Sequence, residues 1–427
     1  MSFDAISPID GRYSSEASPL GEYFSETALV RERIRVELAY LRLLVKLKVA
    51  PKSEVPVIRS SMMKIKKLEE ESGHDVKAVE VYIRDNLVRT GHSSLAPYVH
   101  LGLTSEDTNT LAYGLMLKLG LERVIVPAFS ELAKVLAGIA KREASTIMAA
   151  RTHGRPAVPT TFGKELAVFA YRFAERTSSL RRFTPMAKFS GAVGTYASFM
   201  LLGDIDWTVE LAEFVRGFGI EPAPYSTQVV PGERLSDILH HVINMNQLVV
   251  SLSRDLWLYQ TLDFVHFLRP GKVSSSTMPQ KVNPVDIENA EGQGEISNAI
   301  LNFIAYRLQM TRMQRDLSDS VVRRMIGQGL AHSLVGARRL TSSLASMEVD
   351  RRVMEADLKR HPEVFAEREQ VILRLKGDQR GYEKVRSSLE RGEFHMTGRQ
   401  VDSYVGVAKK LAEASPGLVK SLLGPSS

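Results

Sequence analysis

An all-α fold is predicted by three features of the chain. Apolar residues recur every three or four positions over long stretches, alternating segments are few, and polar turns open the long stretches. Leu29, Ile34, Leu38, Leu41 and Val45 share one face of a helix over 26–49. Leu111, Leu115, Leu119, Leu132, Leu136 and Ile139 predict a second over 105–142. Leu166, Phe169, Ala170 and Phe173 predict a third over 161–183. The longest is expected over 233–268, from Leu235 through Leu239, Leu248 and Leu256 to Leu262. At 1.5 Å per residue it would be on the order of 50 Å long. Val249, Trp257, Leu258 and Phe264 put apolar groups nearly all round it, so it must be buried, which suggests neighbours from other subunits. Strand candidates are short, at 187–190 and 227–230. Two soft boundaries, the turn-rich GHSSLAPYVH at 91–100 and the charged stretch 345–362 broken by His361-Pro362, divide the chain. They give an N-terminal helical domain (1–100), an elongated central bundle forming a tetrameric core (101–344) and a C-terminal helical domain (345–427).

The 427 residues are 44% hydrophobic and 25% charged, as expected of a soluble globular protein. With no cysteine, disulfides, thiolate metal sites and a cysteine nucleophile are excluded. The net charge of +7 suits nucleic acid or a small polyanion. There is no dense basic block with interleaved aromatics, and Lys64–Lys67 runs into Glu69, Glu70 and Glu71 as a solvated helix face would. The small anion is therefore favoured, with no nucleic-acid or membrane partner. No apolar run approaches the roughly 18 residues needed to span a bilayer, and the polar start MSFDAISPIDGRYSS predicts a cytoplasmic protein.

Three segments carry chemistry. SSSTMPQKVNP at 274–284 joins a row of hydroxyls to Lys281 and a predicted helix start, with Asn283 as N-cap and Pro284 as first helical residue. Asp286 and Glu288 in the first turn complement the helix dipole. RTHGRPA at 151–157 sets His153 before a Gly-Arg-Pro turn rather than on a helix face. In TSEDTN at 104–109, Thr104 and Asp107 have capping-box spacing, and the free amides of such a start also bind carboxylates. Singly, each segment is explained by capping or a structural histidine. Together they would bring polar helix ends to one place.

The set resembles the three signature regions of the fumarase/aspartase superfamily. SSSTMPQKVNP resembles its Gly-Ser-Ser-x-Met-Pro-x-Lys-x-Asn signature, with Ser274 where glycine is usual. SPIDGRY, GHDVKAVE at 73–80, YSTQV at 225–229 and RMQRDLSDSVVRR at 312–324 extend the likeness over most of the chain, the last 80 or so residues excepted. Within the superfamily these segments fit the branch that acts on succinylated purine nucleotides.

The resemblance implies a cofactor-free, metal-free elimination that breaks a C–N bond and releases fumarate. It makes Ser275 the general base, supported by Lys281, and His153 the general acid. It makes Glu288 the carboxylate that orients the acid and His74 a second histidine on the leaving-group side. Glu288 as a dipole-complementing acid remains a parallel reading, as does His74 as a plain loop residue. For the nucleotide it implies Arg12, Tyr13, Arg315, Ser320 and Arg324, and for the succinyl group Thr104, Ser105, Gln228, Lys281 and Asn283. Asp75 and Asn289 complete the implied substrate contacts. Arg315 and Arg324 could equally serve as ion-pair partners within QRDLSDS. The implied assembly is a homotetramer whose active sites are shared between subunits. The alternatives are another fumarate-releasing lyase of the superfamily and a basic helical scaffold that binds nucleic acid without chemistry.

Overall fold

A computed structural model of the protein describes residues 4–267, 277–394 and 404–424. Helices dominate it, the longer ones being Glu26–Lys46, Ser105–Gly120, Val126–Arg142, Phe162–Leu180, Glu233–Thr261, Val285–Arg307 and Ile326–Ala345. The described strands form three two-stranded pairings, and none exceeds seven residues. Among the described residues no helix is long and apolar enough to cross a membrane.

Contacts divide the chain into two compact units. The first comprises 1–127, 180–244 and 296–335. Its apolar centre gathers Tyr40, Leu41, Leu44, Ile83, Leu87, Leu111, Phe199 and Trp207. Tyr40 meets Phe189 and Phe199 at centroid distances of 5.3 and 6.4 Å, and Phe199 meets Trp207 at 5.6 Å. Each large side chain buried here contributes about 1.5–3 kcal/mol. Local chemistry sets the helix ends. Ser25 caps Glu26–Lys46 by accepting from Ala28 N–H at 3.2 Å. Gly73 ends Met62–Ser72 at φ 66°, a left-handed conformation that glycine adopts without strain. The predicted helix over 105–142 contains a π turn, Leu121–Ile125, just before Pro127. Proline has no N–H and its ring crowds the carbonyl four residues back, so a widened turn relieves both conflicts.

The second unit comprises 128–179, 245–295 and 336–427. It holds an antiparallel hairpin, Ile147–Thr152 with Arg155–Thr161, which the sequence reading missed. A second antiparallel pair joins Val265–Phe267 to Met347–Val349. That strand corrects the helix predicted to reach 268. The helix stops at Thr261, Asp263 takes φ 56°, and Val265 and Phe267 bury the same face at strand spacing. The helix is thus about 44 Å long for its 29 residues. Trp257 and Leu258 are exposed on the single chain, where the sequence predicted all-round burial.

Two smaller expectations shift. The helix predicted from 284 begins at Val285, and the Pro284 carbonyl accepts from Ile287 and Glu288 N–H, so Pro284 stands in the cap position expected of Asn283. Of the strand candidate at 187–190 only Ala187 pairs, next to Met186, with Glu221–Pro222; 227–230 is irregular.

Candidate active site

In the first unit the TSEDTN segment folds as its pattern dictates. Thr104 caps Ser105–Gly120 in a complete capping box, and Asp107 accepts from Thr104 N–H at 2.8 Å. Asp107 is fully buried and does more than cap. Its second oxygen accepts from Lys188 Nζ at 2.9 Å, Ser190 N–H at 2.9 Å and Gly191 N–H at 3.2 Å. The 188–194 turn is thereby fixed to the helix start that presents Thr104 and Ser105. Ser190 Oγ lies 2.9 Å from Ser226 Oγ. A Cβ on Gly194, at φ 80°, would come within 2.1 Å of the Ser226 carbonyl, so only glycine lets the 225–229 segment lie this close. That segment carries Gln228.

In the same first turn, Glu106 anchors a chain of charged groups. Its carboxylate accepts from Arg315 at 3.2 Å, Arg323 at 3.0 Å and Asn109 at 3.1 Å. Arg315 also donates to Gln228 Oε1 at 3.2 Å. Asn109 Oδ1 accepts from Arg33 Nε at 2.9 Å, and Arg33 reaches Asp75 at 2.8 Å. Asp75 accepts a second guanidinium, Arg324, at 2.9 Å. Asp319 pairs with Arg323 at 3.0 Å, and the Arg323 guanidinium lies 5.4 Å from the Tyr113 ring centroid. Burial alone would raise the pKa of Glu106; Arg323 and Arg315 outweigh it and hold the group below the usual carboxylate range. The same balance, with Arg33 the chief stabilising charge, lowers Asp75. Burial pushes Tyr113 up.

His74 precedes Asp75 and caps the helix Asp75–Arg89, its Nδ1 accepting from Lys77 N–H at 3.3 Å. This role requires a lone pair on Nδ1, so the neutral ring carries its proton on Nε2. The exposed Nε2–H can donate outward. Ser320 is half-buried in Ser318–Arg323, donating to the Leu317 carbonyl at 2.9 Å. Tyr13 caps Ser14–Phe24, and Arg12 beside it is exposed. A cleft lined by Asp10, Ser14, Ser18, Gln328 and Arg324 adjoins them.

His100, at φ 60°, pairs with buried Glu37 at 2.7 Å, and Thr108 donates to the same carboxylate oxygen at 2.6 Å. Burial would lower the pKa of His100; Glu37 outweighs it and holds the ring above its ordinary 6.5. A raised folded pKa means the pair's stabilisation is complete below the unfolded value and fades as pH climbs through the folded one. Thermal midpoints of wild type and His100→Asn, an exchange that tolerates positive φ, should therefore converge as pH rises from below about 6.5. A gap that widens with pH would contradict this pairing.

In the second unit His153 and Gly154 are the two central residues of the hairpin turn, with φ 55° and 75°, the signs a type I′ turn demands. His153 is exposed at the tip. Lys281 and Glu288 are exposed, and Asn283 and Asn289 half-buried, at the start of Val285–Arg307. Asp286, in the same turn, is held by Arg339 at 2.7 Å. Ser275 lies outside the described residues. The first unit therefore joins Asp75, Gln228, Arg315 and Arg324 in one hydrogen-bonded chain; Arg12, Tyr13, His74, Thr104, Ser105 and Ser320 also belong to it. His153, Lys281, Asn283, Glu288 and Asn289 belong to the second.

Arg33, Glu106, Asn109, Lys188, Asp319 and Arg323 were not foreseen as site residues, and Asp107 was foreseen only as a cap. A signal existed for the first: Leu29, Arg33, Glu37 and Leu41 form an i, i+4 row in which two charges interrupt an apolar stripe. For Glu106, a first-turn acid already has a dipole explanation, which hid its burial.

Residues 11–296 match the family model described as Lyase, and residues 311–421 that described as Adenylosuccinate lyase C-terminal. The solved 3-carboxy-cis,cis-muconate lactonizing enzyme from Pseudomonas putida shares the fold, with a TM-score of 0.80 at 20% identity over 95% of this chain and 98% of that one. Fold and family match together define a lyase of the fumarase/aspartase superfamily. The adenylosuccinate lyase of Legionella pneumophila is 36% identical over 410 residues, covering 92% of this chain and 89% of that protein. That of Escherichia coli is 35% identical over 413 residues, covering 92% and 90%. The chain belongs to the adenylosuccinate lyase family.

Proposed function

We propose that the protein eliminates fumarate from adenylosuccinate to leave AMP, and acts likewise on succinylaminoimidazole-carboxamide ribotide. The observation that carries the reading is the charged chain around Glu106. Among the described residues, the ion pairs of Arg33, Arg315, Arg323 and Arg324 are with Asp75, Glu106 and Asp319, four guanidiniums against three carboxylates. The surplus positive charge, with Gln228 and two half-buried hydroxyls nearby in sequence, suits a substrate of one phosphate and two carboxylates.

In this reading Ser275 removes the proton from the carbon next to a succinyl carboxylate. The electron pair moves into that carboxylate, then forms the fumarate double bond as the C–N bond breaks. His153 delivers a proton to the departing nitrogen, and Glu288 orients it. Lys281 holds the negative charge of the intermediate. His74 donates through Nε2 near the leaving group, beside Asp75. Arg12, Tyr13, Arg315, Ser320 and Arg324 hold the nucleotide; Thr104, Ser105, Gln228 and Asn283 hold the succinyl part, with Asn289 beside them. The chain works in the cytoplasm as a homotetramer with shared sites. Exposed Trp257, Leu258, Phe303 and Tyr306 on two long helices support burial against other subunits.

Fumarate release, followed with adenylosuccinate, the ribotide, argininosuccinate and aspartate in parallel, tests the assignment. Turnover confined to the two purine substrates is expected. Preference for argininosuccinate or aspartate would replace the substrate, and no release from any would defeat the reading.

A further inference from the structure

His153 sits on a frame that cannot hold itself. A two-stranded hairpin is marginal in water, and this one contains Pro156 and Pro159, which give no N–H to the ladder. Its register also slips. Between the pairs Ala149–Pro159 and Arg151–Pro156, Ala150 of one strand faces both Ala157 and Val158 of the other. The turn places a non-glycine residue at φ 55°. Something outside the hairpin must fix where the imidazole goes.

The helix Arg351–Arg360, near the start of the 345–427 segment, supplies two charged clamps. At the hairpin's base, Glu143 is buried and receives a two-pronged guanidinium, Arg351 Nε at 3.0 Å and Nη2 at 2.8 Å. The same carboxylate accepts from Thr146 Oγ1 at 2.7 Å, directly before the first strand. Two residues before His153, Arg151 donates to both oxygens of buried Asp357 at 2.9 and 2.8 Å. Arg151 also stacks over Phe264 at 5.2 Å and donates to the Ala149 carbonyl at 3.2 Å. Between the clamps, Ala149 packs with Leu358, Val364 and Phe365.

We propose that this helix is a splint for the hairpin, and that Asp357 and Arg351 are positioning residues that set His153 through Arg151 and Glu143. The proposal rests on the reading of His153 as the general acid. It gives the C-terminal segment a direct part in turnover, although none of its residues need touch substrate.

A displacement of about 1 Å at a reacting group can cost roughly a hundredfold in rate. Asp357→Asn in the full-length protein should therefore lower kcat about tenfold or more, with KM within about twofold. Asp357→Glu should recover part of the loss. In a His153→Ala background, Asp357→Asn should change the residual rate by less than about twofold, since the group it positions is gone. Arg351→Met, which removes a mostly exposed side chain, should fold even if Asp357→Asn does not, and should lower kcat about threefold in the same His153-dependent way. Wild-type kcat in a folded Asp357→Asn or Arg351→Met protein overturns the proposal. So does a loss that persists undiminished without His153. Full activity of His153→Ala alone would instead remove the acid assignment on which the proposal stands.

Discussion

His153→Ala is expected to lower turnover by about a hundredfold to ten-thousandfold, the range that a positioned acid contributes. The side chain is exposed and alanine leaves the hairpin's clamps untouched, so the change costs only the small backbone penalty of alanine at φ 55°. Size and thermal midpoint should therefore stay close to wild type. Ser275→Ala should show a comparable loss. If sites are shared between subunits, mixing the two inactive proteins after verified subunit exchange should restore part of the activity, since some hybrid sites carry both native residues. Absence of recovery would reject shared sites, and a near-native rate for His153→Ala would reject the acid.

Glu106→Ala is expected to have the largest effect on stability. It leaves Arg315 and Arg323 to share Asp319 as their buried counter-charge, and breaking a buried pair costs about 3–5 kcal/mol. Glu106→Gln keeps an acceptor for one guanidinium and should lose less. The depressed pKa fixes the pH dependence. A carboxylate whose folded pKa lies below its unfolded value stabilises above the unfolded value of about 4.3. That stabilisation disappears as pH falls through the folded value. Denaturant unfolding should show the wild-type advantage over Glu106→Gln at neutral pH and its collapse in acid. An advantage that grows on acidification would mean Glu106 is not ionised among these arginines. KM for the nucleotide should rise in both variants, because Arg315 is no longer oriented from behind.

The helices were legible because apolar spacing states directly which face is buried. The predicted 26–49, 105–142 and 161–183 segments are helical over most of their length. Apolar content misled past Thr261, where Phe264 to Phe267 keep the composition of a buried helix but the period of a strand. The hairpin was hidden by its prolines, which argue against a strand when partners are unknown. A two-residue His-Gly link, followed by Val158, Thr160 and Thr161, was the remaining signal. The clustering of Gln228, Arg315 and Asp75 could not be derived from spacing. It depends on Glu106 and Arg33, whose burial is a property of the packed helices rather than of their own neighbourhoods.

The hydrogen bond from Arg323 to Glu106 spans 217 positions of sequence. During synthesis at about 5–20 residues per second, Glu106 leaves the ribosome roughly 10–40 s before its guanidinium partners exist. Through that interval the nascent helix carries an acid meant for a dry interior, and it must stay hydrated or protonated. Docking of the early helices is thus postponed until the 315–323 stretch emerges. A chain halted short of it would hold a half-built core with its charge still in water, a natural client for chaperones.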